Sequence, residues 1–196
     1  MPLLQEKEHY TYADVLEWDE GFRAEIVDGI VYEMSPPLLE HQRISMRLSV
    51  KFGKYLEGKS CKVFAGPVGV RLFPQADRRD DTVLEPDLIV VCDPSKLDER
   101  GCNGAPDLVI EILSPSTSSR DKVLKFNLYL EAGVREYWVV EPDARLVQIH
   151  ILNEGRYVTS AYGIYDTKKE ADKRFVSDVA PVTVLPGFSI NLTEIF

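Results

Sequence analysis

The chain has 196 residues, 44% hydrophobic and 28% charged, with a net charge of -9 and a pI near 4.9. Such a composition is that of an ordinary soluble globular protein with enough apolar sequence for a real core, and it excludes a disordered chain. The acidic balance argues against a protein that coats nucleic acid by charge alone, since that binding needs a basic surface, although it leaves room for a local basic cleft.

In chain order, Thr11 is placed to cap a short helix through Trp18, with Asp14 at the third helical position of a capping box. Residues 23–27 and 30–34 flank Asp28-Gly29, a pair that supplies the positive φ angles of a tight hairpin turn. Ile44, Leu48, Phe52, Tyr55 and Leu56 recur at helical spacing and predict a helix from about Leu39 to Leu56. Strands are expected over 62–65, 68–72, 87–91 and 107–113, then a second long helix from about Ser119 to Ala132, with Gly133 as its stop. The run 114–119 reads as the connection that caps this helix. Glu136 to Val140 is a further strand, so the helix forms a βαβ crossover of conventional length. Beyond it, 146–151 and 156–159 read as an antiparallel meander, 164–174 as a charged surface loop, and 185–190 as a tie between the C-terminus and the sheet. The expected fold is therefore α/β with a mixed sheet, in one domain over 1–196. Its core covers about 39–140, with a hairpin at 22–34 before it and the meander at 145–196 after it.

Cys61, Cys92 and Cys102 show neither CxxC nor metal-finger spacing, and an odd number so spaced points to reduced thiols in an intracellular protein. The N-terminus lacks the basic start and apolar run of a signal peptide, and no stretch is long enough to span a bilayer. The expectation is a cytoplasmic protein without membrane contact. Apolar strand residues left exposed in the tail predict a homodimer or higher homo-oligomer.

The residue that points to chemistry is Glu111, an acid inside the apolar run Asp107-Leu108-Val109-Ile110-Glu111-Ile112-Leu113. A core strand has no solvated face to spare, and an unpaired buried carboxylate costs several kcal/mol or becomes neutral. Glu111 therefore needs a cation or a structural basic partner. A second apolar run, Asp87 to Val91 after Pro86, carries another acid. Two acids on neighbouring strands can share one ion.

The order helix, three strands, helix, strand, with acids on the second and third strands, resembles the core of the PD-(D/E)XK nuclease superfamily. Within it, the chain resembles the Uma2 family, also called DUF820. That resemblance rests on Glu25-Ile26-Val27-Asp28-Gly29, on Met34-Ser35-Pro36-Pro37 leading to His41-Gln42, and on Glu85-Pro86-Asp87. It rests further on the block Gly104 to Thr117 and on Gly133-Val134-Arg135-Glu136-Tyr137-Trp138.

The resemblance implies a restriction-endonuclease-like fold and a metal-dependent endonuclease acting on nucleic acid, with DNA the expected substrate. Asp87 and Glu111 would hold Mg²⁺ or Mn²⁺, because hard cations on carboxylates supply the charge stabilisation that phosphodiester hydrolysis needs. The superfamily pattern expects a lysine two residues after the second acid, where this chain has Leu113. The family is understood to take that lysine from the following helix, and Lys125 is the match; without the resemblance, an ordinary Asp121–Lys125 helix pair is the simpler reading. Glu25 becomes a further ligand or active-site acid, and His41 a contact to phosphate or to a metal-held water. Two alternatives differ in class: a nuclease-fold binding or regulatory module that cuts nothing, and a metal-dependent hydrolase of another phosphate compound.

Overall fold

A computed structural model describes residues 7–19, 21–77, 79–114, 121–164 and 177–196. Helix α1 (Tyr12–Val15) begins as expected, the Asp14 carboxylate accepting the Thr11 backbone N–H at 2.9 Å, but it stops short of Trp18. Strands β1 (Ala24–Val27) and β2 (Ile30–Glu33) form the hairpin, and Asp28 and Gly29 take φ of 50° and 77°, which a two-residue turn of this kind requires. Helix α2 (Leu39–Leu56) buries Ile44, Leu48, Phe52 and Leu56, one residue per turn on one face. No described helix is long and apolar enough to cross a membrane.

The central sheet has the order β12-β11-β10-β9-β6-β3. Its strands are β3 (Lys62–Ala65), β6 (Leu88–Val91), β9 (Leu108–Ile112), β10 (Glu136–Glu141), β11 (Leu146–Asn153) and β12 (Arg156–Gly163). Between β9 and β10 lie a π-helical turn (Asp121–Lys125) and helix α3 (Phe126–Ala132), which ends at Gly133 with φ 81°. Strands β9 and β10 are parallel neighbours, Leu108 opposite Glu136 and Ile112 opposite Val140, so the crossover exists; the other neighbours in this sheet are antiparallel. The connection at 115–120, and with it the predicted helix start at Ser119, lies outside the described residues, as does nearly all of the expected loop at 164–174.

A second sheet, not anticipated, has the order β2-β1-β5-β4-β8-β7. It adds β4 (Gly69–Arg71), β5 (Val83–Leu84), β7 (Leu97–Asp98) and β8 (Gly101–Asn103) to the hairpin. Strands of two or three residues are too short to show a period, so the run 68–72 gave no sign that it leaves the central sheet. The tail closes with a small ladder of β13 (Val179–Pro181) and β14 (Ser189–Asn191).

Alternation along the central strands produces two cores. Leu88, Val90, Leu108, Ile110, Ile112, Trp138 and Val140 pack against α2 and the tail residues Leu185, Ile190 and Ile195. On the opposite face Ile89, Val91, Val109, Leu113, Tyr137 and Val139 pack against α3 and against Val27, Val70 and Leu84 of the second sheet. Tyr137 and Trp138, adjacent in sequence, enter opposite cores.

One expectation is overturned. Cys61 and Cys92 form a disulfide with Cα atoms 3.9 Å apart, leaving Cys102 as the buried free thiol, its pKa pushed up to about 11 chiefly by burial. Lys62 pairs with Val91 across β3 and β6, so the next step of that ladder sets the two cysteines face to face. Their separation of 31 residues carries no sign of this. The inference from reduced thiols to an intracellular compartment goes with it.

Candidate active site

Glu111 alternates with Ile110 and Ile112 and so projects to the α3 side of the sheet, the side of Val109 and Leu113. The β6–β9 register pairs Leu88 with Ile110, and one further step sets Asp87 opposite Glu111. Directly opposed residues have Cβ atoms about 4.5–5.5 Å apart.

Glu111 Oε1 accepts hydrogen bonds from Lys125 Nζ at 2.9 Å and from the Tyr129 hydroxyl at 2.7 Å. Lys125 Nζ also lies 2.8 Å from Glu25 Oε1, and that oxygen accepts the Glu85 backbone N–H at 3.0 Å. The cluster is dry: Lys125 is 3% exposed, Glu111 5% and Glu25 1%. The elements bring it together in a simple way. Lys125 ends the π-helical turn and Tyr129 follows one turn later in α3, on the same side of the continuous helix, and Glu25 shares with Val27 the face of β1 that meets the central sheet. The Lys125 ammonium points into the core and bridges two carboxylates, while the side chain of Asp121, the other half of the expected helix pair, lies outside the described residues. The π-helical turn helps, carrying Val123 outward to 66% exposure while Lys125 faces the sheet.

Asp87 is held from two directions. Its Oδ2 accepts the Ile112 backbone N–H at 2.7 Å and lies 3.1 Å from His41 Nε2, which must donate because an ionised carboxylate only accepts. That contact fixes the first turn of α2 to the end of β6. His41 Nδ1 is buried without a hydrogen-bond partner among the described residues, which is uncommon for an imidazole nitrogen. Tyr129 remains a protonated donor, since burial first, and then the charges of Glu111 and Glu25, hold its pKa well above that of an ordinary phenol.

Sequence reasoning named Asp87, Glu111, Lys125, Glu25 and His41, and the structure brings these into two contacting groups at the facing ends of β6 and β9. It missed Tyr129, for which the spacing Lys125-x-x-x-Tyr129 was the available signal. Asp107, the first residue of the predicted strand 107–113, accepts the Cys92 backbone N–H at 2.7 Å and pairs with Arg135 at 2.9 Å.

The donors suit a hard divalent cation. Asp87 and Glu111 offer carboxylate oxygens from opposed positions, and Mg²⁺ commonly takes one or two carboxylates, with water and substrate oxygens completing its shell. Among the described residues no three His, Cys, Asp or Glu side chains gather closely enough to hold an ion by themselves.

Comparison with known proteins gives concordant results. A family model described as "Putative restriction endonuclease", Uma2, matches residues 12–193. "Uncharacterized protein slr1290" of Synechocystis sp. is 34% identical over 144 residues, 72% of this chain and 73% of the relative. A crystal structure titled as a "putative nuclease belonging to DUF820" from Anabaena variabilis superposes with a TM-score of 0.72 at 19% identity, covering 95% of this chain and 97% of that one, which shows a shared fold. With a model match over nearly its whole length and the nuclease-like arrangement of sheet and helices, the chain belongs to the Uma2 family of restriction endonuclease-like proteins.

Proposed function

We propose that the protein is a Mg²⁺- or Mn²⁺-dependent endonuclease that hydrolyses phosphodiester bonds in DNA. The observation that carries this reading is the position of Lys125: its ammonium is 2.9 Å from Glu111 although position 113 holds leucine. The superfamily pattern expects a lysine beside the second acid, and here it arrives from the π-helical turn that leads into α3.

Asp87 and Glu111 would hold the cation, which supplies Lewis-acid stabilisation of the phosphate when bound. Lys125 places a fixed positive charge at the same carboxylate, where it can offset charge that develops on the phosphate oxygens in the transition state. Glu25 anchors that ammonium from the other side, which limits its freedom and keeps it directed at Glu111. His41, donating to Asp87 through Nε2, orients that carboxylate. An enzyme on DNA works where DNA is accessible, and we accordingly place it in the cytoplasm. We also propose a homodimer or higher homo-oligomer, supported by Val158 and Val179, 50% and 40% exposed on the meander and tail; light scattering that finds a monomer at high concentration removes this part.

The test is cleavage of supercoiled plasmid and of single-stranded DNA with Mg²⁺, with Mn²⁺ and with chelator, beside Glu111→Ala. Metal-dependent nicking by the wild type and none by the variant is the expected result. Metal-dependent DNA binding without cleavage would replace the nuclease reading with that of a binding module, and hydrolysis of small phosphate esters alone would move it to another substrate.

A further inference from the structure

A buried tyrosine hydroxyl has to find an acceptor, and in most cores a backbone carbonyl serves. Tyr129 is 0% exposed, its ring 4.9 Å from that of Tyr137, and phenylalanine would fill the same space without a polar atom to satisfy. Instead its hydroxyl donates at 2.7 Å to Glu111 Oε1, the oxygen that also receives Lys125. Both donors come from successive turns of one helix, so they are fixed relative to each other. Rotating the Glu111 carboxylate breaks both bonds together.

We propose that Tyr129 is a positioning residue whose hydroxyl, acting with Lys125, locks the Glu111 carboxylate in the orientation that binds a divalent cation. The proposal rests on the metal-dependent nuclease reading and deepens it: the affinity of the site for its cation is set partly by a side chain that does not touch the ion. Partners of this kind orient ligands and commonly change metal affinity about 10–100-fold when removed. A tyrosine that merely fills the core would affect stability and leave metal affinity alone.

The full-length Tyr129→Phe variant separates the two. Calorimetric titration with Mn²⁺ should show binding about 10–100-fold weaker than wild type, with the metal-free circular dichroism spectrum retained. A Kd within twofold of wild type in the folded variant would overturn the proposal. Should Tyr129→Phe fail to fold, 3-fluorotyrosine placed at position 129 in the otherwise wild-type chain provides a second readout. Its ¹⁹F resonance should shift on Mg²⁺ saturation and should not shift in the Glu111→Gln background; an unmoved resonance in the former also overturns it. Failure of the underlying reading looks different: wild type that binds no Mn²⁺, or binding that survives in the Asp87→Ala/Glu111→Ala double variant, sinks the metal site itself and this inference with it.

Discussion

Lys125 joins two carboxylates in a dry core, and removing the lysine takes its charge away from both at once. Lys125→Ala should therefore lose about 3–5 kcal/mol of stability, measured by urea unfolding of the metal-free protein; a loss below about 1 kcal/mol would mean that the carboxylates find other compensation. Mg²⁺ should restore more stability to this variant than it adds to wild type. His150 makes a second prediction. Its ring lies 5.0 Å from that of Phe126 and 5.4 Å from that of Tyr137, and burial lowers its pKa to about 4. The unfolded chain binds this proton near pH 6.5, so the histidine's contribution is complete above that pH and is lost as pH falls from there to about 4. The loss is of order 2–3 kcal/mol, and His150→Gln should show a flatter decline of melting temperature over the same interval. At this scale the acids were legible because an ionisable side chain inside an apolar run has to be explained. Glu25 joining Lys125 was not, since the contact spans 100 residues and two sheets and leaves no local pattern.

Among the elements, α2 was readable to the residue because its apolar side chains keep one face for the whole length of the helix. Phe52 sits at the middle of that face, with ring centroids 6.2 Å from Trp138 and 5.1 Å from Phe188. Phe52→Ala should cost about 3–5 kcal/mol, read by denaturant unfolding, and a cost near zero would place α2 outside the core. The helix after β9 was read as continuous, whereas its described part begins with a π-helical turn at Asp121–Lys125. A π-turn bonds i→i+5 and shifts the phase of the side chains along the helix, which a reading at the 3.6-residue period does not register. The second sheet escaped for a related reason: β5 and β7 have two residues each, and their pairing depends on the distant hairpin.

In the whole molecule, the central sheet is covered on one face by α2 and the tail and on the other by α3 and the second sheet. Glu136 fastens the tail, accepting Trp138 Nε1 and the Val184 backbone N–H, each at 2.7 Å. Because both layers share side chains of the same sheet, we propose that residues 1–196 form one cooperative domain. Calorimetry should then show a single unfolding transition, and two resolved transitions would refute it. Mg²⁺ binds only the folded arrangement on this account, so the transition should rise with its concentration and cease to do so in the Asp87→Ala/Glu111→Ala variant. The general plan of this molecule was visible in the order of its helices and strands; the packing of one sheet on another depends on contacts that no segment carries by itself.

Plasmid cleavage by Lys125→Met, compared with wild type in Mg²⁺ at a temperature where circular dichroism shows both folded, most directly tests the assignment of the displaced lysine to a metal-dependent nuclease site. The account predicts metal-dependent cleavage by wild type and its loss in the variant, with partial recovery when Leu113→Lys is added on the strand face that holds Glu111. Cleavage by Lys125→Met at the wild-type rate would contradict it.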